Sequence, residues 1–353
     1  AAATWDERPR QPTNWFCPCL DTEYGVWQRP HDLVRLPSGV ILLRYDVQER
    51  PYQGKVTPLL TRSTDGGRSW AKPEIFRIAP PDFPEWQPPR LFLTARGRLV
   101  TLIGGKGAAV TAESQDEGQT WSAPAPVNLP MKTEHVERLY IGPAGPINLA
   151  DGSMLLFMYG PHSLKDPDLA IFTWGAFHCQ AFATRSTDDG RSWSDPVNVD
   201  NPGSDKDGKP YEGNLDLTEV CGAQMADGRI MALIRPIYSP WMWETWSNDG
   251  GASWGPCVRG PFAGYATPNM LRTRSGHVLV AHRMPGLTIH TSPDEGRTWD
   301  QGTLIDSGLW AMGAMTELEP DTVLYVYMDT RMSFMRAQFI RVTQGRLEPV
   351  RLT

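Results

Sequence analysis

STDGGRSW (63–70), SQDEGQTW (114–121), STDDGRSW (186–193), SNDGGASW (247–254) and SPDEGRTW (292–299) are five copies of one octapeptide. Ser, Asp, Gly and Trp stand at the same four offsets in every copy, a coincidence that only a repeated structural unit explains. The residue types describe a tight reversal. Ser and Asp side chains bond the backbone N–H groups of their own turn, and Gly supplies the positive φ such a turn demands. Asp-Gly between strand-like segments is a strong hairpin signal. Trp then opens the returning strand and is placed to pack between repeats. An EF-hand calcium loop is the competing reading of an acidic run with Gly, but its further liganding positions and closing Glu are absent.

A second pattern alternates with the first. LVRLPSGVILLRY, LFLTARGRLVTLIGG, INLADGSMLLFMYG, AQMADGRIMALIR, MLRTRSGHVLVAHR and MTELEPDTVLYVYM each place two short strands around a turn, at Gly39, Gly97, Gly152, Gly228, Gly276 and Asp321. Strand, turn, strand, followed by strand, octapeptide, strand, makes a four-stranded antiparallel unit, and there are six such units. The expected fold is therefore all-β: a six-bladed β-propeller occupying 1–353 as a single domain, in which radial packing protects strand edges. The sixth unit lacks an octapeptide. MRAQFIRVT and a strand from the N-terminal segment are expected to complete it, closing the ring.

Composition removes other classes. Lys and Arg total 34 against 40 Asp and Glu, with no basic block, which argues against a nucleic-acid footprint or a polybasic membrane patch. No apolar run approaches the roughly 18 residues of a membrane span. Aromatic residues, 10% of the chain and spread along it, argue against disorder. Cys17, Cys19, Cys179, Cys221 and Cys257 are too few and too scattered for a disulfide framework. The Cys17-x-Cys19 pair has no partner motif to complete a zinc site, so neither metal nor other cofactor is expected. The opening AAATWDERPR has no apolar signal core, yet a start at Ala-Ala-Ala is compatible with cleavage, and a secreted or periplasmic location is the expectation. Oligomeric state has no signature in the sequence.

In a propeller the innermost strands line a central channel, so residues entering each unit are candidates for chemistry. WQRPHDLVRL, WQPPRLFL, LDLTEVCGAQ and ALIRP, VAHRMPG and LWAMGAM put Arg29, Asp32, Arg90, Glu219, Arg235, His282 and Arg283 near strand ends at a channel mouth. Arginines converging from several blades suit a carboxylate, which the planar guanidinium meets in bidentate fashion. The competing reading, local ion pairs between blades, holds for any one of them, while their recurrence favours an anionic ligand.

The octapeptide resembles the Asp box, also called the BNR repeat, of the sialidase (neuraminidase) superfamily, over nearly the whole chain. That family's Asp boxes are peripheral and structural, and its propellers include other glycosidases, lyases and non-enzymes. The resemblance implies three arginines clamping a substrate carboxylate. Arg29, in Arg29-Pro30-His31-Asp32-Leu33, stands in the register of the first, Arg235 in that of the second, and Arg283 nearest the third. Glu219, sixteen residues before Arg235, matches the family's glutamate. The chain is divergent at two points. Met312, in Trp310-Ala311-Met312-Gly313, occupies the place of the tyrosine nucleophile. Near the acid/base aspartate's place, in DVQERPYQGKVT, the carboxylates are Asp46 and Glu49.

The leading expectation is an exo-acting glycosidase on an acidic glycan bearing sialic or uronic acid. Catalytic candidates are Glu219 with Asp46, Glu49 or Asp32, acting as acid and base, and inversion follows if the pair stands about 6.5 to 9.5 Å apart. Arg29, Arg90, Arg235, Arg283, His282, Trp310 and Tyr238 are the substrate-binding candidates. The second expectation is a lyase acting by β-elimination at a uronic acid, with His31 or His282 as base. The third is a non-catalytic carbohydrate-binding propeller, which the missing nucleophile favours.

Overall fold

The computed structural model describes residues 16–19, 23–51, 53–83, 87–165, 177–204, 209, 215–237, 239–284, 286–306, 312–328 and 334–350. Among these there is no helix, and hence none long and apolar enough to cross a membrane. Six antiparallel sheets follow one another along the chain. Blade one holds β1 (Trp27–Arg35), β2 (Ile41–Gln48), β3 (Thr57–Ser63) and β4 (Glu74–Ile75); blade two holds β5 (Arg90–Leu93), β6 (Leu99–Gly104), β7 (Ala109–Ser114) and β8 (Ala125–Val127). Blade three holds β9 (Tyr140–Ile141), β10 (Ile147–Asn148), β11 (Met154–Lys165), β12 (Phe177–Ser186) and β13 (Val197–Asn198). Its inner strand is split: β9 and β10 both pair with β11, and the residues between them, Gly-Pro-Ala-Gly-Pro, cannot continue a ladder.

Blade four holds β14 (Leu217–Gln224), β15 (Ile230–Pro236), β16 (Trp241–Ser247) and β17 (Val258–Ala263). Blade five holds β18 (Asn269–Arg272), β19 (Val278–Arg283), β20 (Leu287–Ser292) and β21 (Thr303–Asp306). Blade six holds β22 (Met312–Glu319), β23 (Thr322–Met328), β24 (Met335–Thr343) and β25 (Arg346–Pro349). Its outer strand is thus C-terminal. The N-terminal segment adds a single bridge on β24, with Phe16 and Ala337 exchanging both backbone hydrogen bonds at 3.0 and 2.7 Å.

All five octapeptides fold alike. The first-position serine oxygen accepts the Gly N–H at 2.7–2.8 Å. One Asp oxygen accepts the N–H of the residue before Trp at 2.8–2.9 Å. The other Asp oxygen takes that residue's hydroxyl at 2.5–2.7 Å, a Ser or Thr regularity in all five copies. The glycine is required twice over. At Gly67, φ is +89° and a Cβ would lie 2.5 Å from Leu324 of blade six; at Gly251, φ is +88° and a Cβ would lie 2.5 Å from Leu155 of blade three.

The turns at Gly67, Gly118, Gly251 and Gly296 press onto the second strand of the preceding blade, and burial follows that geometry. Six apolar clusters exist, one at each blade interface: Leu42 with Leu91, Leu102 with Leu156, Phe157 with Ile230, Met231 with Val280, Leu279 with Tyr325, and Leu324 with Leu43, which closes the ring. The five octapeptide tryptophans, Trp121, Trp193, Trp254, Trp299 and Trp70, pack into five different clusters.

Candidate functional site

The inner strands of blades one and four each lose regular pairing where they carry charge. In β1 the register shifts between Pro30 and Asp32, isolating His31 from the ladder while Arg29 faces Asp46 across β2. In β14 the shift falls between Leu217 and Val220, at Glu219. Bulges of this kind turn side chains out of the alternation a strand would otherwise impose.

Asp46 is wholly buried at the centre of the first cluster. Arg44 Nη2 lies 2.5 Å from its Oδ1, His31 Nε2 lies 3.0 Å and Arg29 Nη2 3.7 Å from its Oδ2. Burial would raise its pKa, but Arg44, His31 and Arg29 outweigh that and hold the carboxyl below the usual range, permanently ionised. His31 is the opposite case. Burial drives its imidazole down to about 3 despite Asp46, so it is neutral at physiological pH. Asp32 accepts the Leu91 N–H at 3.1 Å and lies 3.6 Å from Arg90 Nη1, tying blade one to blade two; burial raises its pKa against the pull of Arg90. Arg29 keeps one side partly exposed, its guanidinium carbon 4.5 Å from the Trp27 ring centre.

The second cluster spans blades four and five. Glu219 Oε2 accepts the Thr267 N–H at 2.6 Å and sits 3.2 Å from Arg235 Nη1. Arg235 Nη2 donates to the Tyr265 hydroxyl at 3.0 Å, and Arg283 Nη2 donates to Thr267 Oγ1 at 3.3 Å. Burial works against the Arg235 charge, but Glu219 and the Tyr265 hydroxyl outweigh it and keep the guanidinium protonated.

Tyr159 of blade three lies within the electrostatic reach of both clusters. Phe157, two residues before it, has its ring where a Cβ on Gly222 would fall, at 2.7 Å. Since β11 runs toward the arginine end and β14 away from it, Tyr159 comes beside Val220 and Glu219. Burial first, then the Glu219 charge, raises its phenol pKa, with Arg235 and Arg90 opposing. Its ring stacks on Tyr140 at 5.5 Å. At the same end of blade four, Asp216 holds His178 Nδ1 at 3.0 Å.

The structure therefore brings Arg235, Glu219 and Arg283 into one bonded group, Arg29 and His31 onto Asp46 in another, and pairs Asp32 with Arg90 beside the latter. His282 belongs to neither. It is buried between blades four and five, stacked 5.3 Å from Phe262, with Nε2 2.9 Å from His290 Nδ1. Burial lowers its pKa to about 3. Neighbouring residues of a strand face opposite sides, which is why Arg283 reaches the site and His282 does not. Glu49 stands exposed in the turn beyond β2, its side chain over Gly54. Trp310 and Tyr238 lie outside the described residues. Met312 begins β22, paired with Met328.

Tyr265 and Thr267 lie at the entry to blade five, outside the strand ends singled out from the sequence in blades one, two, four, five and six. Tyr159 stands as far into the second strand of its blade as Arg235 does in blade four, so comparison of those strands, LLFMYG with MALIRP, carries the signal that would have found it.

These features define a class: a propeller whose turns are Asp boxes and whose arginines are backed by carboxylates or a hydroxyl. The chain belongs to the BNR repeat-like domain family, whose model matches residues 106–311. Among solved structures, the Hadza microbial sialidase Hz136 is 20% identical with a TM-score of 0.64 over 90% of this chain and 66% of that one. The intramolecular trans-sialidase from Ruminococcus gnavus is 14% identical, TM-score 0.67, over 95% and 98%. Trypanosoma rangeli sialidase is 13% identical, TM-score 0.59, over 90% of this chain and 55% of its own length. The chain thus spans about two thirds or less of two of these proteins. At such identities the likeness is one of fold. No curated protein matches the sequence.

Proposed function

We propose that the protein is an exo-acting glycosidase of sialidase-like type, holding the carboxylate of an acidic sugar between arginines from opposite sides of the ring. The observation that carries this reading is the backing of each arginine. Arg29 rests on Asp46, Arg235 on Glu219 and Arg283 on Thr267, which fixes the direction of each guanidinium. Glu219 is the carboxylate best placed for proton transfer, because Oε1 has no hydrogen-bond partner among the described residues while Oε2 is fixed. Similarity to sialidases and to a trans-sialidase crystallised with oseltamivir carboxylate supports the choice of ligand class. The test is release of fluorophore from aryl glycosides of sialic and glucuronic acids. No turnover of either, with no product absorbing in the ultraviolet from uronate-containing oligosaccharides, sinks an enzymatic reading.

The binding-only alternative has its own observation. Asp46 is locked as a counter-ion, Asp32 bridges two blades, and both His31 and His282 are buried with pKa values near 3, poor bases at neutral pH. That weakens elimination through either histidine and leaves a propeller that grips a sugar acid without cleaving it. Saturable binding of sialic or glucuronic acid without turnover selects this alternative.

A further inference from the structure

Three side chains of the second cluster come from different strand positions, Glu219 on β14, Arg235 on β15 and Arg283 on β19, yet all are tied to one short segment between blades four and five. Thr267 gives its N–H to Glu219 at 2.6 Å and accepts Arg283 on its hydroxyl at 3.3 Å. Tyr265 accepts Arg235 on its hydroxyl at 3.0 Å, lies 4.6 Å under the same guanidinium, and gives its carbonyl to the Arg283 N–H at 2.9 Å. The backbone that achieves this is strained. Ala266 and Thr267 stand consecutively at φ +47° and +48°, where a β-branched residue is a rarity. Ala266 is fully buried, and Gly264 admits no side chain, since a Cβ there would meet Met242 at 2.6 Å.

We infer that the segment 264–268 is the positioning element of the anion site, with Tyr265 and Thr267 setting the mutual placement of Arg235, Glu219 and Arg283. Backbone strain persists only where surrounding structure imposes it, and it collects where geometry matters to function. Among the positive-φ residues other than glycine, Ala266 and Thr267 are the only two that stand consecutively among the described residues. Turning Thr267 into that region presents its N–H and hydroxyl to two different blades at once. The inference rests on the proposed carboxylate-binding role of this site and adds which residues make it work.

Two substitutions separate position from packing. Thr267→Val keeps the branched shape and removes the hydroxyl from Arg283; Thr267→Gly removes the hydroxyl and relieves the left-handed strain. Both are expected to weaken N-acetylneuraminic acid about ten-fold by calorimetry, the effect of roughly one misplaced charge-assisted contact, and its methyl ester less than about two-fold. Thr267→Gly should melt about 2 °C above Thr267→Val, because glycine adopts this backbone without the strain a β-branched residue carries there. Tyr265→Phe, which keeps the ring under Arg235, should reproduce the loss of selectivity for acid over ester. Wild-type affinity for the acid in these variants, or a glycine variant that melts below the valine one, overturns the inference. If the wild-type protein binds neither N-acetylneuraminic nor glucuronic acid, the proposed function fails by itself. Crystal structures of the variants then decide the positioning role, which is overturned if Glu219 and Arg283 stay where they are.

Discussion

Glu219 Oε2 receives a backbone N–H and stands against a guanidinium, and those two partners ask different things of it. The N–H needs only an acceptor, which an amide oxygen also provides, whereas Arg235 needs a negative charge. Glu219→Gln therefore keeps the first and loses the second. We expect kcat to fall at least about 100-fold, the lower range for lost general acid–base catalysis, with the melting temperature little changed. Turnover that persists while stability drops marks Glu219 as scaffold. The arginines answer to a different measurement. Replacing Arg29 or Arg235 with Ala should weaken an anionic sugar by about 2 to 5 kcal/mol and a neutral analogue far less, because only the first loses a desolvated charge pair. Equal losses for both ligands would identify the two arginines as structural. Asp46 behaves as a third kind of residue: fully buried under Arg44, His31 and Arg29, it is a fixed counter-charge and no proton donor, however close it stands to the acid/base register in sequence.

At the level of the element, the Asp box shows why so much of the fold can be read from sequence. Its bonds are local: Ser186 Oγ serves Gly190 N–H, and Asp188 serves the Ser192 N–H and hydroxyl, all within one turn. Local chemistry leaves a fixed spacing in the sequence: five turns with five tryptophans mark five blades, and the six strand-turn-strand pairs add the sixth. Asp188→Ala should cost about 1 to 2 kcal/mol of stability and leave ligand affinity unchanged, read by thermal melting alongside calorimetry. Lost affinity without destabilisation would contradict a peripheral role. The site is another matter. Arg29, Arg235 and Glu219 stand at strand ends and were legible from their place in the repeat. The register shifts around His31 and Glu219, the left-handed pair Ala266-Thr267 and the split inner strand of blade three are imposed by tertiary packing, which leaves no local signature. His282 shows the cost of reading by proximity: one residue from Arg283 in sequence, it faces the opposite side of the strand.

Across the whole molecule, some of the interfaces that close the ring also bury ionisable groups in their neutral forms, and this ties the propeller's stability to pH. His282, between blades four and five, has a pKa lowered to about 3 by burial and then by His290; unfolded, it would titrate near about 6.5. Between those values the unfolded chain holds a proton the folded one lacks. The contribution is complete above about 6.5 and is lost as pH falls toward 3, at about 1.4 kcal/mol per pH unit, and His31 adds a term of the same sense. Asp200, at the interface of blades three and four, runs the other way. It is 3% exposed, accepts the Ala181 N–H at 3.2 Å, and burial raises its pKa to about 7. Its contribution is complete below about 4, the unfolded value, and is lost as pH rises through 7. Asp32, also raised by burial, acts in the sense of Asp200, while His290, also lowered by burial, acts with His282 and His31; the histidines leave a net loss on acidification, so the melting temperature should fall from near neutral pH toward pH 4. Asp200→Asn isolates the opposing contribution. At pH 5 it replaces a neutral carboxylic acid with a neutral amide of the same shape, and at pH 8 it replaces a buried anion. The substitution should therefore raise the melting temperature more at pH 8 than at pH 5. An equal shift at both would mean that Asp200 is ionised throughout and that this interface tolerates the charge.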